Sequence, residues 1–165
     1  MKDKTLEDLF YDGLKDIYYA ERKILRALPK MARGAQSEQL KSAFEMHKDQ
    51  TEQQVERLQK VFEILGKRAQ GKTCPAIDGI VEEGEEILDE YKDTSALDAG
   101  LVGAAQAVEH YEIARYGTLK RWAQTLGMKD AAKLLDETLK EEIETDASLT
   151  KLADKDANEK AKQAA

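Results

Sequence analysis

Glu21, His47, Glu109, Glu112 and Glu142 are metal-ligand types standing where apolar residues belong. Each breaks a stripe whose members recur at alternating spacings of three and four, which is the pattern of one helix face. The first stripe reads Phe10, Leu14, Ile17, Glu21, Ile24, Leu28, Met31, and the second Leu40, Phe44, His47, Thr51, Gln54, Leu58, Val61, Leu65. The third is Val102, Ala105, Glu109, Glu112, Tyr116, Leu119, Ala123, Leu126, and the fourth Leu135, Leu139, Glu142, Asp146, Leu149, Ala153. An ionised group in a seam that faces other helices must be paired or bound to a cation, because its desolvation otherwise costs several kcal/mol.

Inward carboxylates gathered around one imidazole suit two hard or borderline cations. Bridging carboxylates offset both charges, and the His47 nitrogen helps select iron, manganese or zinc over calcium. Glu109 and Glu112, at i and i+3, share a helix face, and Glu142 with Asp146 at i and i+4 repeats that logic. Any one of these acids is more simply read as half of an ion pair, with Arg115 three residues after Glu112 and Arg57 three after Gln54. The set reads differently, because two arginines cannot neutralise Glu21, Glu109, Glu112, Glu142 and Asp146 in a single layer.

Other chemically capable residues read as packing or surface. His110 lies about 100° around the helix from Glu109 and is expected to be partly exposed. Tyr18 and Tyr116 fall near the ligand layer, where their hydroxyls reach ligands or simply satisfy the core. Cys74 has no paired cysteine or neighbouring histidine to activate it. The run Glu82, Glu83, Glu85, Glu86, Asp89, Glu90 is a solvated helix face, without the spacing of a calcium loop.

Positioning these residues requires long helices, and the chain supplies their boundaries. Thr5 opens the first helix, which runs to about Arg33 with Pro29 kinking or shortening its last turns. Ser37 caps a second helix to about Leu65, and Gly66 provides a left-handed stop. Residues 67–94 form the one long connection, with Pro75 at the start of a short amphipathic helix. Ser95 with Asp98 starts the third long helix, Gly127 ends it, and the fourth runs from about Lys129 into a tail expected to fray from about residue 155. Gly34 lies 13 residues from both Glu21 and His47, so each sits about 20 Å from that turn. Gly127 lies 15 residues from both Glu112 and Glu142, about 22 Å from its own turn. The two pairs share one layer if the connection carries the chain back along the bundle, and its length selects that topology.

Composition narrows the class further. The 165 residues fit one domain, and the two prolines, long charged runs and helix-favouring composition indicate an all-α fold. A net charge of −7 with scattered cations excludes the basic stripe that nucleic acid requires. No window approaches a membrane span. A single cysteine allows no internal disulfide and, with no apolar signal core, points to the cytoplasm.

Four segments carry a resemblance. They are Asp-Ile-Tyr-Tyr-Ala-Glu ending at Glu21, Ala-Phe-Glu-Met-His ending at His47 with Thr51 beyond it, Val-Glu-His-Tyr-Glu-Ile-Ala-Arg-Tyr-Gly-Thr-Leu from Val108, and Ala-Ala-Lys-Leu-Leu-Asp-Glu-Thr-Leu-Lys-Glu-Glu from Ala131. The chain resembles the ferritin-like superfamily and, within it, the bacterial stress-induced YciF family. That resemblance implies a ferritin-like four-helix bundle with a short fifth helix in its long crossover, a homodimer, a cytoplasmic location and induction under stress. Superfamily members bind two irons through one Glu on the first and third helices and Glu-x-x-His on the second and fourth. Glu21 and Glu112 match the single positions, and Glu109 resembles the additional Glu of rubrerythrin-like third helices. On the second helix the order is inverted, with His47 followed by Gln50; on the fourth, Glu142 is followed by Thr145 and Asp146 without a His. Gln50 and Asp146 are therefore outer candidates. With no Cys-x-x-Cys pair, a peroxidase-like reaction needs an external electron donor. The expected function is a di-metal, foremost di-iron, carboxylate protein of the stress response that reacts with peroxide or oxygen or sequesters metal. The alternatives are a non-catalytic dimeric bundle that binds a stress-response partner, and an iron-storage shell.

Overall fold

The computed structural model describes residues 3–163, all helix and short connections. At the first helix, α1 (Leu6–Gly34), the Thr5 hydroxyl accepts the Asp8 N–H at 3.2 Å and the Asp8 carboxylate accepts the Thr5 N–H at 2.8 Å. This reciprocal box satisfies two of the donors that a helix start leaves free. Pro29 lies inside α1, which continues to Gly34, within a residue of the Arg33 end read from the sequence. One lost N–H is offset by the burial of Leu28 and Ala32 on either side of it.

Ser37 caps α2 (Glu38–Ile64) by accepting the Leu40 N–H at 3.1 Å. Gly66, at φ 64°, turns the chain out of that helix, and Gly127, at φ 74°, separates α4 (Leu97–Thr125) from α5 (Lys129–Leu152). Glycine, with no Cβ, takes these left-handed angles at no steric cost. The connection between the two hairpins carries α3 (Pro75–Glu90), with Pro75 in its first turn.

Long-range hydrogen bonds fix the topology. The Lys72 N–H donates to the Lys15 carbonyl at 3.0 Å, the Tyr19 hydroxyl reaches Asp78 at 2.9 Å, and Leu88 packs against the bare face of Gly34. α3 thus carries the chain back along α1, from its beginning to its end. The Asp98 carboxylate then accepts the Gln36 and Ser37 N–H groups, each at 2.8 Å, which pins the start of α4 to the α1–α2 turn. At the opposite end Gly13 of α1 faces Leu119 of α4. The result is a ferritin-like crossover, with the Gly34 and Gly127 turns at opposite ends.

Two expectations are corrected here. Asp98 does not cap its own helix: Ala96 holds the α4 cap position without a side-chain bond, because Asp98 is committed to the α1–α2 turn. The tail does not fray from residue 155 either. α5 passes through a π-helical turn, Ala153–Ala157, into α6 (Asn158–Gln163), and Ala157 is buried near Ser37 and Asp98.

The predicted stripes are the buried faces. Phe10, Leu14, Ile17, Ile24 and Leu28 from α1, Phe44, Leu58 and Val61 from α2, Leu101 and Leu119 from α4, and Leu135 and Leu149 from α5 belong to one continuous core. Among the described residues no helix is long and apolar enough to cross a membrane.

Candidate metal centre

Four helices deliver the polar residues of their stripes to the middle of this core. Glu21 comes from α1, His47 from α2, Glu109 and Glu112 from α4, and Glu142 from α5. All four glutamates are 0% exposed and His47 is 5% exposed. His47, Glu109, Glu112 and Glu142 each offer a ligand atom within 4.8 Å of the others. His47 Nδ1 approaches Glu109 Oε1 to 3.2 Å, and its Nε2 lies 3.8 Å from Glu142 Oε2. Glu21 adjoins this group through Glu112 and receives the Tyr116 hydroxyl on Oε1.

The acids are not neutralised by arginine. Arg57 forms a bidentate pair with Glu141, both bonds 2.9 Å, and adds a 2.7 Å bond to Thr138. Arg115 lies over the Tyr111 ring, 5.3 Å from its centre. No lysine or arginine among the described residues pairs with Glu21, Glu109, Glu112 or Glu142. Eight buried polar atoms there have no hydrogen-bond partner: Glu21 Oε2, His47 Nε2, Gln54 Oε1, both oxygens of Glu109 and of Glu112, and Glu142 Oε2. Folded proteins leave few such atoms, and a cluster of oxygens with one imidazole nitrogen is the donor set of a cation site. The residues present therefore fit a metal.

Electrostatics give the same answer. Burial, then repulsion from Glu142, pushes Glu21 up to about 8. Burial, then contact with Glu142, pushes Glu109 up to about 12, and burial with the charges of Glu142 and Glu21 pushes Glu112 well above the carboxylate range. Neighbouring carboxyls here can hydrogen-bond only by sharing a proton. Burial lowers His47, against the opposing pull of Glu142, so its imidazole stays neutral with a lone pair free for coordination. A cation entering this cluster displaces protons and supplies the charge that the burial lacks.

Two sequence candidates stay outside the convergence. Asp146 accepts from Gln106 Nε2 at 3.2 Å and lies 3.2 Å from Nε2 of His110, which is itself 68% exposed. One turn beyond Glu142, Asp146 leans towards the polar edge of α4 instead of the core. Gln50 accepts the Thr145 hydroxyl at 3.2 Å between α2 and α5. Tyr18 also points elsewhere: it packs edge-on to Phe62 at 5.6 Å and accepts a 3.3 Å bond from Gln59.

Gln54 is the residue that the ligand reading missed. Its amide nitrogen bonds Glu142 and, at 3.0 Å, Glu141, while its oxygen has no partner. Its place in the apolar seam of α2, between Thr51 and Leu58, was the available signal. Thr51, also buried in that seam, is satisfied by the His47 carbonyl at 2.8 Å.

Residues 5–162 match the family described as a domain of unknown function, DUF892. The chain belongs to that family. It is 45% identical to Protein YciF of Escherichia coli K12 over 166 residues, all of both chains. The crystal structure described as the E. coli stress protein YciF superposes with a TM-score of 0.90 at 44% identity, covering 94% of this chain and 99% of that one. YcfI of Rhodopseudomonas palustris, described as a candidate structural protein, gives 0.87 at 47% identity over 90% and 95% of the two chains. A Xanthomonas campestris protein at 24% identity, with a TM-score of 0.74, shares the fold.

Proposed function

We infer that the chain is a ferritin-like di-metal carboxylate protein of the stress response, and that iron is the metal. The observation that carries this reading is the set of buried carboxylate oxygens with no counter-charge beside a neutral imidazole. His47, Glu109, Glu112 and Glu142 would hold one cation, and Glu21, which adjoins them through Glu112, would help hold the other, so that Glu112 serves both. Glu142 is in contact with both Glu109 and Glu112, where one carboxylate can serve two cations. Iron bound there supplies one-electron chemistry for peroxide or oxygen, or is held out of circulation. Manganese and zinc suit the same donors.

The chain's own residues have definable tasks. Tyr116 orients Glu21 through its hydroxyl, and Gln54 orients Glu142 through its amide. Ile17, Ile24 and Phe44 exclude water, which strengthens every charge interaction inside. An electron donor must come from outside, since Cys74 is the single cysteine. Assembly as a homodimer in the cytoplasm completes the reading.

The close carboxyl contacts favour one rival, a non-catalytic bundle whose acids stay protonated and share hydrogen bonds. Anaerobic titration with ferrous ion followed by peroxide, with an optical record, tests the two. A new absorption that saturates with iron supports the di-iron reading, whereas a flat record with no iron retained favours the rival. A sizing column separates a dimer from a storage shell.

A further inference from the structure

Two cavities reach the His47 end of the centre, and they differ in size and lining. The first lies among α1, α2, α3 and α4, has a wall of Ile24, Phe44, Val81 and Ala105, and measures about 40 Å³. The second lies between α2 and α5, is lined by Met46, Gln50, Glu144, Thr145 and Ser148 beside His47, and measures about 220 Å³. At roughly 30 Å³ per water, the first has room for about one water and the second for about seven. A small divalent cation carries about six waters in octahedral array. Only the second cavity accepts it with that shell.

The lining agrees with the size. Met46 is 70% exposed and Glu144 and Ser148 are exposed, so the α2–α5 cleft opens to solvent. Across it the Thr145 hydroxyl donates to Gln50 Oε1 at 3.2 Å, a single neutral bond over His47. A carbonyl and a hydroxyl oxygen can replace waters of a passing cation one at a time, and neither carries a charge that would detain it. The smaller cavity is walled mostly by apolar side chains, and the two charges along it outside the centre, Lys30 and Glu85, are committed to each other at 3.2 Å.

We propose that divalent cations reach the buried centre through the cleft between α2 and α5, with the Gln50–Thr145 hydrogen bond as the gate. The inference rests on the metal-binding reading above. Its test is the rate at which metal-free, full-length protein takes up cobalt(II), followed by stopped-flow absorbance, together with the cobalt bound at equilibrium. Ser148→Trp, which narrows the cleft from its exposed rim, slows uptake by about tenfold or more, a barrier change of about 1.4 kcal/mol. The equilibrium cobalt content stays the same. Thr145→Val, nearly isosteric, opens the gate and speeds uptake, and keeps the test available should the tryptophan disturb α5. Gly84→Ala narrows the smaller cavity and leaves the rate unchanged; its added carbon would meet Ala104 at 3.5 Å and Met31 at 3.6 Å, ordinary contacts. Failure of the parent protein to bind cobalt removes the metal reading itself. Binding by the parent with an unchanged rate in either cleft variant, or slowing by Gly84→Ala alone, overturns the route.

Discussion

Glu21 sets the sign of a pH dependence at the scale of single residues. Its folded-state value of about 8 stands above the ordinary carboxylate value of 4.5, so the folded metal-free protein holds this proton more tightly than the unfolded chain does. The associated stability is present in full below about pH 4.5 and is lost as pH rises to about 8. Glu21→Gln, which cannot ionise, should flatten that part of the profile in denaturant titrations of metal-free protein at pH 5 and pH 8; an unaltered slope would show that Glu21 does not titrate there. Tyr116→Phe removes the hydroxyl that holds Glu21, and loss of such an outer hydrogen bond weakens metal affinity by about 10–100-fold. Competition against a chromophoric chelator reads that change, and parental affinity in the variant would remove Tyr116 from the support of the site. Glu21, His47, Glu109, Glu112 and Glu142 were legible in the sequence because each replaces an apolar residue in a periodic seam. Gln54 was passed over as a support for the ligands, and Asp146, an outer candidate, lies at the edge of the cluster. An amide carries no charge to mark it as part of a cation site although its seam position buries it, and the Asp146 carboxylate finds Gln106 and His110 as partners that lie far from it in sequence.

Local boundary signals were equally legible wherever both partners are near in sequence. Thr5 with Asp8, Ser37 with Leu40, Pro75, Gly66 and Gly127 all act within a few residues of where they stand. Asp98 escaped because the N–H groups it accepts lie 62 and 61 positions away. The tail escaped because its helix gains from burying Ala157 near the α1–α2 turn, a contact that local composition does not encode. Asp98→Ala leaves two backbone donors of that turn without their partner and should cost about 2 kcal/mol. For a chain of this size that is about 4–8 °C in melting temperature. A melting temperature equal to the parent's would mean that water satisfies the turn unaided.

Over the whole molecule, the crossover decides whether the polar layer exists. Equal distances from Gly34 and Gly127 bring both pairs to one level when the turns lie at opposite ends, and α3 running back along α1 places them there. Binding to the folded state alone adds about 2.7 kcal/mol at a free metal concentration a hundred times the dissociation constant. Chelation should therefore lower the melting temperature of metal-loaded protein, while Glu112→Ala should melt at one temperature with or without chelator. The most direct test is the count of iron retained per chain after anaerobic loading and desalting, in the parent and in Glu112→Ala. Two ions per parent chain and fewer than one in the variant is the predicted result. No iron retained by the parent, or the same count in both, would contradict a cation site among these buried acids.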